Sequence, residues 1–228
     1  MKAKTKRSLN EQGFTIIELL VGMVIFLLAL TAIYSTFQAQ HKSYLMQQEV
    51  AAMQQNLRAA MFYMQREIRM AGCDPTGDAN AGIVTANSDS ISFTEDVRGD
   101  FDPDVPVDDP NPDGDIDDPN EDITYNLDDS DGDGVDDELD RNNQTVAQNI
   151  DALNFVYLDA NGIETAVLAD IRSVEITIVA RISRPLRDSP NNRDYFNQRN
   201  TQILSAQGDR YSRKRLTSAI KCRNLGLN

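Results

Sequence analysis

An uninterrupted apolar segment near the amino terminus constrains this chain more than any other feature. Residues 14–34 read FTIIELLVGMVIFLLALTAIY and contain one charged side chain, Glu18, and no proline. About 20 apolar residues form an α-helix long enough to cross a bilayer. The preceding residues 1–13 carry four basic side chains, and basic flanks stay on the cytoplasmic side. We therefore expect residues 1–13 to face the cytoplasm and the chain after about Tyr34 to lie outside it.

A cleaved secretory signal is the alternative interpretation of this segment. It would need a small-residue cleavage site after the apolar run, and the Ala-Leu-Thr-Ala stretch at 29–32 offers only a weak one. We therefore expect the segment to be retained in the membrane.

The charge of the chain is concentrated in one insert. The formal net charge is −14, yet residues 100–140 hold 19 Asp and Glu and no Lys or Arg, and the rest holds 17 acids against 22 bases. This distribution predicts a mildly basic body with an acidic insert. The basic residues near the carboxyl terminus lack the interleaved aromatic side chains that stack on nucleic-acid bases, so no nucleic-acid partner is expected.

No motif of enzyme chemistry occurs in the sequence. The patterns GxSxG, GxxxxGK[ST], GxGxxG and HExxH are absent, and there is a single histidine, His41. The two cysteines lie far apart, which excludes CxxC zinc and redox motifs. We expect no enzyme activity, because a membrane-anchored enzyme would need a catalytic constellation that the sequence lacks.

The pattern beyond the apolar segment predicts a long helix followed by a sheet. Apolar side chains recur every three or four residues as far as Gly72, a typical helix stop, at Val50, Met53, Leu57, Met61, Met64, Ile68 and Ala71. The period then changes to two, and strands are predicted at Ser90–Phe93, Ile123–Leu127, Leu153–Leu158, Val174–Ile182 and Leu216–Cys222. A helix followed by an antiparallel sheet is an α+β fold.

The junction Gly13-Phe14-Thr15-Ile16-Ile17-Glu18 resembles the type IV prepilin signature. The resemblance implies that a prepilin peptidase cleaves after Gly13 and that the new amino-terminal Phe14 is methylated. A carboxylate inside a membrane is costly, on the order of 2.5–3.5 kcal/mol on insertion scales. The resemblance implies that Glu18 neutralises the new amine of Phe14, on its own chain or a neighbour's, during filament assembly. The alternative is a charge tolerated near the membrane interface.

The chain as a whole resembles a minor pilin of the PilW type, related to the J pseudopilin of type II secretion. Further similarity lies in the helix end Met64–Gly72, in Asp122–Tyr125, in Asn149–Tyr157 and in Arg172–Ile176. The resemblance implies a type IV pilin-like fold with four parts: a cleaved leader at 1–13, a membrane or filament-core helix at 14–37, its amphipathic continuation at 38–72, and a β-rich domain at 73–228.

Such proteins help to nucleate filaments and sit at or near the tip. The resemblance therefore implies an inner-membrane protein with a periplasmic domain, which then enters a pilus on the cell surface. The implied partners are other minor pilins, the major pilin and the prepilin peptidase. A J-type pseudopilin and a calcium-dependent tip adhesin are the alternatives on the same scaffold.

The two cysteines are candidates for a disulfide. Cys73 follows the predicted helix, and Cys222 shares a face with Leu216 and Ile220 on the last predicted strand. Because cysteines tend to pair outside the cytoplasm, we expect a Cys73–Cys222 disulfide. Two buried free thiols are the alternative.

One part of the acidic insert has the spacing of a calcium loop. Residues 129–140 read DSDGDGVDDELD, and calcium prefers six to eight oxygen ligands supplied by such alternating carboxylates. The pattern resembles thrombospondin type 3 and EF-hand-like loops, although an aspartate stands at the last position, where the EF-hand has glutamate. The predicted ligands are Asp129, Asp131, Asp133, Asp137 and Asp140, with the main-chain oxygen of Val135. A solvated acidic loop is the alternative, and residues 102–118 fit a flexible spacer without this spacing.

Overall fold

The computed structural model describes residues 13–99 and 111–226. The predicted leader, apart from Gly13, lies outside these residues, as do positions 100–110 of the acidic insert. The chain divides into two units, Met1–Met46 and Gln47–Asn228.

One continuous α-helix, α1, covers Ile16–Ile68, and a short 3-10 helix covers Leu168–Asp170. The beginning of α1 is set by Thr15, which caps the first turn. After Ile68 the chain continues in tight turns, in which the Met70 N–H donates to the Glu67 carbonyl and the Ala71 N–H to the Ile68 carbonyl, and Gly72 follows with a left-handed φ of +75°. Within the first unit the apolar side chains of α1 are exposed, as in Ile16, Leu28 and Ile33. Among the described residues, α1 is the one helix long and apolar enough to cross a membrane.

The second unit contains two antiparallel sheets and a hairpin. The first sheet is a five-stranded meander in the order β1-β2-β3-β4-β5, and the second has the order β10-β7-β6. Strands β8 and β9 form the hairpin. The strands are β1 Ile83–Ala86, β2 Ile91–Thr94, β3 Asp122–Asp128, β4 Glu138–Arg141, β5 Gln144–Ala147, β6 Ile150–Leu158, β7 Ser173–Arg181, β8 Tyr195–Phe196, β9 Gln202–Leu204 and β10 Arg213–Lys221.

The carboxyl-terminal part of α1 packs on these sheets through the predicted stripe. Met64 and Ile68 have no exposed surface, and the other buried helix residues are Met53, Leu57, Ala60 and Met61. They share the core with inward side chains of both sheets, among them Ile123, Tyr125, Leu139, Ile176 and Ile178. The predicted α+β fold is therefore confirmed. The five predicted strands correspond to β2, β3, β6, β7 and β10.

Candidate functional site

The predicted cleavage junction lies immediately before α1. Gly13, Phe14 and Thr15 precede the first helical residue, and the Phe14 side chain is 91% exposed. The peptide bond between Gly13 and Phe14 is therefore outside the helix and accessible to a peptidase.

Glu18 takes part in a capping box at the start of α1. Its Oε2 accepts hydrogen bonds from the Thr15 backbone N–H at 2.9 Å and from the Thr15 hydroxyl at 2.8 Å. In return, the Glu18 N–H donates to Thr15 Oγ1 at 3.3 Å. This reciprocal pattern satisfies backbone donors that a helix start leaves without partners. The Thr-x-x-Glu spacing is the sequence signal of this cap.

The acidic insert brings three carboxylates together where β3 leads into β4. Asp129, Asp131 and Glu138 each offer a ligand oxygen, and these oxygens lie within 4.8 Å of one another. The loop between them turns on Gly132 and Gly134, both at positive φ. It is held by two hydrogen bonds, from Gly134 N–H to Asp129 Oδ2 and from Asp133 N–H to Asp131 Oδ1, each 3.0 Å.

The structure places only two of the predicted ligands, Asp129 and Asp131, in this cluster. Asp137 forms an ion pair with Arg181 instead. Asp133 Oδ1 accepts the Val135 N–H at 2.9 Å, and the Val135 carbonyl accepts the Asp137 N–H at 2.9 Å. The loop therefore uses these groups to stabilise its own turns.

Glu138 belongs to the cluster, although the calcium-loop spacing of residues 129–140 did not select it as a ligand. Its side chain is only 2% exposed, and its Oε2 has no hydrogen-bond partner within the described part of the chain. Asp129 Oδ1 and Asp140 Oδ1 are also buried without a partner there, while Asp140 Oδ2 accepts the Ser130 hydroxyl at 2.5 Å. Burial and the neighbouring Asp137, Asp131 and Asp133 raise the pKa of Glu138 to about 7.

A network of ion pairs lies next to this cluster. Arg181 on β7 bonds to Asp137 and, at 2.6 Å, to Asp151 on β6. Arg213 on β10 bonds to the same Asp151 and, at 2.5 Å, to Asp209. Asp137 thereby connects the end of the acidic loop to the second sheet.

A second cluster of polar side chains, largely buried, connects α1 to the first sheet. Glu67 accepts hydrogen bonds from Arg141 Nε at 2.9 and 3.0 Å and from the Tyr125 hydroxyl at 2.5 Å. Nearby, burial together with repulsion from Glu67 and Glu121 raises the pKa of Glu95 to about 7. No sequence pattern indicated this cluster, because its members come from distant positions.

Both cysteines are free thiols in the structure, so the disulfide stays a prediction. The segments that carry them run side by side. The Cys73 N–H donates to the Met70 carbonyl at 2.9 Å, and the Arg223 N–H, next to Cys222, donates to the Arg69 carbonyl at 3.3 Å. Burial raises the pKa of Cys222 to about 11 and that of Cys73 above its usual range.

Comparison with known proteins relates the chain to one sequence motif and one fold. Residues 8–34 match the prokaryotic N-terminal methylation motif. A type IV-like pilin from Thermus thermophilus superimposes with a TM-score of 0.51 at 10% sequence identity, over 76% of this chain and 98% of that one. No curated protein matches the sequence. The motif and the type IV pilin-like fold agree with the resemblance seen in the sequence.

Proposed function

We propose that this chain, which joins a prokaryotic N-terminal methylation motif to a type IV pilin-like fold, is a minor pilin that is cleaved between Gly13 and Phe14. One observation carries the proposal. The matched motif, residues 8–34, contains an exposed junction directly ahead of an apolar helix, and that helix continues into the core of a pilin-like domain.

In this proposal the apolar half of α1 anchors the protein in the inner membrane, and the second unit lies in the periplasm. Prepilin peptidase removes the leader and the new amino terminus at Phe14 is methylated. The subunit then joins other minor pilins and the major pilin, at or near the tip of a pilus filament. Exposed apolar side chains over the first unit support this, since a membrane or neighbouring helices would cover them.

Mass spectrometry of the amino terminus tests the proposal. The protein is taken from membranes and from sheared filaments of cells with and without prepilin peptidase. We expect a chain that begins at N-methylated Phe14 in the filament fraction, and an uncleaved chain when the peptidase is missing. A chain beginning at Met1 in peptidase-positive cells would contradict the proposal.

The capping box gives a matched pair of variants for the role of Glu18. Glu18→Gln removes the charge but keeps a side chain that can complete the capping box, whereas Thr15→Ala breaks the cap and keeps the charge. If Glu18 neutralises the new amine, Glu18→Gln should be cleaved normally but absent from filaments, and Thr15→Ala should still be incorporated. The opposite pattern would show that Glu18 serves only to cap the helix.

We propose in addition that the acidic loop binds calcium. The cluster of carboxylate oxygens supports this, because calcium is a hard cation that prefers such ligands. A thermal unfolding scan of the full chain with and without calcium tests it. An unchanged midpoint and unchanged protease sensitivity would contradict calcium binding.

A further inference from the structure

We propose that Asp129, Asp131 and Glu138 are the calcium ligands of the acidic loop. We further propose that Asp137 supports this site through its ion pair with Arg181 and does not bind the metal. The inference rests on the proposed calcium loop and is independent of the pilin role. It replaces the ligand set that a twelve-residue loop template selects.

Buried oxygens without partners are the first support for this ligand set. Glu138 is 2% exposed, and its Oε2 has no hydrogen-bond partner in the described structure. One of its carboxylate oxygens lies within 4.8 Å of a carboxylate oxygen of Asp129 and of Asp131. Asp129 Oδ1 is likewise buried without a partner there. A buried carboxylate oxygen with no donor is unfavourable unless a cation compensates it. A divalent cation between these groups would supply what the protein does not.

The spacing of the oxygens suits one calcium ion. Calcium binds oxygens at about 2.3–2.6 Å, so two of its ligands lie at most about 5 Å apart. The three ligand oxygens lie within 4.8 Å of one another, which a single ion can span without rearrangement of the backbone. Asp131 is exposed, which leaves room for water ligands to complete the coordination.

Alternation along β4 determines the face of the sheet on which Glu138 lies. Successive side chains at the start of a strand point to opposite sides, and β4 begins at Glu138. Leu139 packs in the core with no exposed surface, so its neighbours Glu138 and Asp140 lie on the other face of the sheet.

Asp137 is occupied on the side of the second sheet. Besides its ion pair with Arg181, its carbonyl accepts the Ile150 N–H at 2.9 Å, at the first residue of β6. Asp137 thus connects this part of the backbone to the second sheet, and the next residue, Glu138, connects it to the metal. Calcium binding at Glu138 should therefore order the loop at 129–137 against both sheets.

Two variants that each remove one charge separate this ligand set from the template. Glu138→Gln removes a proposed ligand. Asp133→Asn removes a ligand of the template only, and the asparagine oxygen can still accept the Val135 N–H. Each full-length chain, in detergent micelles, is titrated with calcium chloride in a calorimeter. We expect Glu138→Gln to weaken calcium binding about tenfold or more and Asp133→Asn to change it by less than about threefold.

The same titration contains the results that would overturn the inference. Equal weakening by both variants would restore the twelve-residue template. If Glu138→Gln fails to fold, Asp131→Asn replaces it, because Asp131 is exposed, and unchanged binding by that variant would refute the ligand set. Absence of binding by the unmodified chain up to about 10 mM calcium, well above the weakest affinities of extracellular loops, would refute the calcium loop itself. None of these results bears on the cleavage at Phe14.

Discussion

Arg141 should be the most sensitive position of the junction between α1 and the first sheet. Its guanidinium is the group that neutralises Glu67, whose carboxylate also accepts the Tyr125 hydroxyl. Arg141→Met keeps most of the apolar stem but leaves Glu67 without its hydrogen-bonded cation and removes one of two nearby positive charges, the other being Arg66, from Glu95. The side chains of Arg141 and Glu67 are 16% and 20% exposed, so the pair is largely but not completely buried.

The magnitude follows from this burial. Removal of one partner from a fully buried pair costs about 3–5 kcal/mol, and residual exposure lowers this to about 2–3 kcal/mol. For a chain of this size, a loss of that kind corresponds to a decrease in the unfolding midpoint on the order of 5–10 °C. Thermal unfolding of the full chain in detergent, followed by near-ultraviolet circular dichroism of its seven tyrosines, measures it.

A matched substitution and a double mutant complete the test. Arg58→Met, at an exposed position of the same helix, should change stability by less than about 0.5 kcal/mol. Glu67→Gln combined with Arg141→Met should cost less than the two single changes added together, since the second change removes the charge that the first left unpaired. Equal effects of Arg141→Met and Arg58→Met, or strict additivity, would refute the reasoning.

Three further predictions concern the same unit. The pKa of Glu95 is about 7 in the folded chain against 4.5 in an unfolded one, so its contribution to stability is lost as pH rises from about 4.5 to 7. Glu95→Gln should therefore stabilise the chain by about 1–3 kcal/mol at pH 8 and have little effect at pH 4.5, and a difference independent of pH between the two chains would contradict this. Met64→Ala should cost about 2–5 kcal/mol in denaturant unfolding because Met64 has no exposed surface, whereas the same change at Met70, 38% exposed, should cost little. Protein isolated from the oxidising compartment should contain the Cys73–Cys222 disulfide, and alkylation of both thiols without prior reduction would exclude it.

The sequence was sufficient for the elements that carry strong periodicity. The stripe from Met53 to Ala71 predicted the buried face of α1, and alternation predicted β7 and β10. Strands that are too short to show a periodic pattern were not predicted. Strand β5 at Gln144–Ala147 has only four residues, two of them polar, and β8 at Tyr195–Phe196 has only two residues, so pairing with neighbouring strands defines both. The apolar run predicts a helix from Phe14, whereas α1 begins at Ile16, because the run alone does not mark the cap at Thr15.

The proposed calcium loop shows why the residues of a site are harder to predict than its location. The spacing of a calcium loop counts positions along the chain, and two residues that it selected, Asp129 and Asp131, lie in the carboxylate cluster of the structure. It assumes that the loop continues to its twelfth residue, but β4 begins at Glu138, and from there strand alternation decides which side chains face the loop. That start depends on pairing across the hairpin, where Leu139 lies opposite Leu127 and Glu138 opposite Asp128. Because a register shift of one residue turns each side chain of a strand to the opposite face, the register of this hairpin determines whether Glu138 lies in the acidic cluster that we propose as the calcium site.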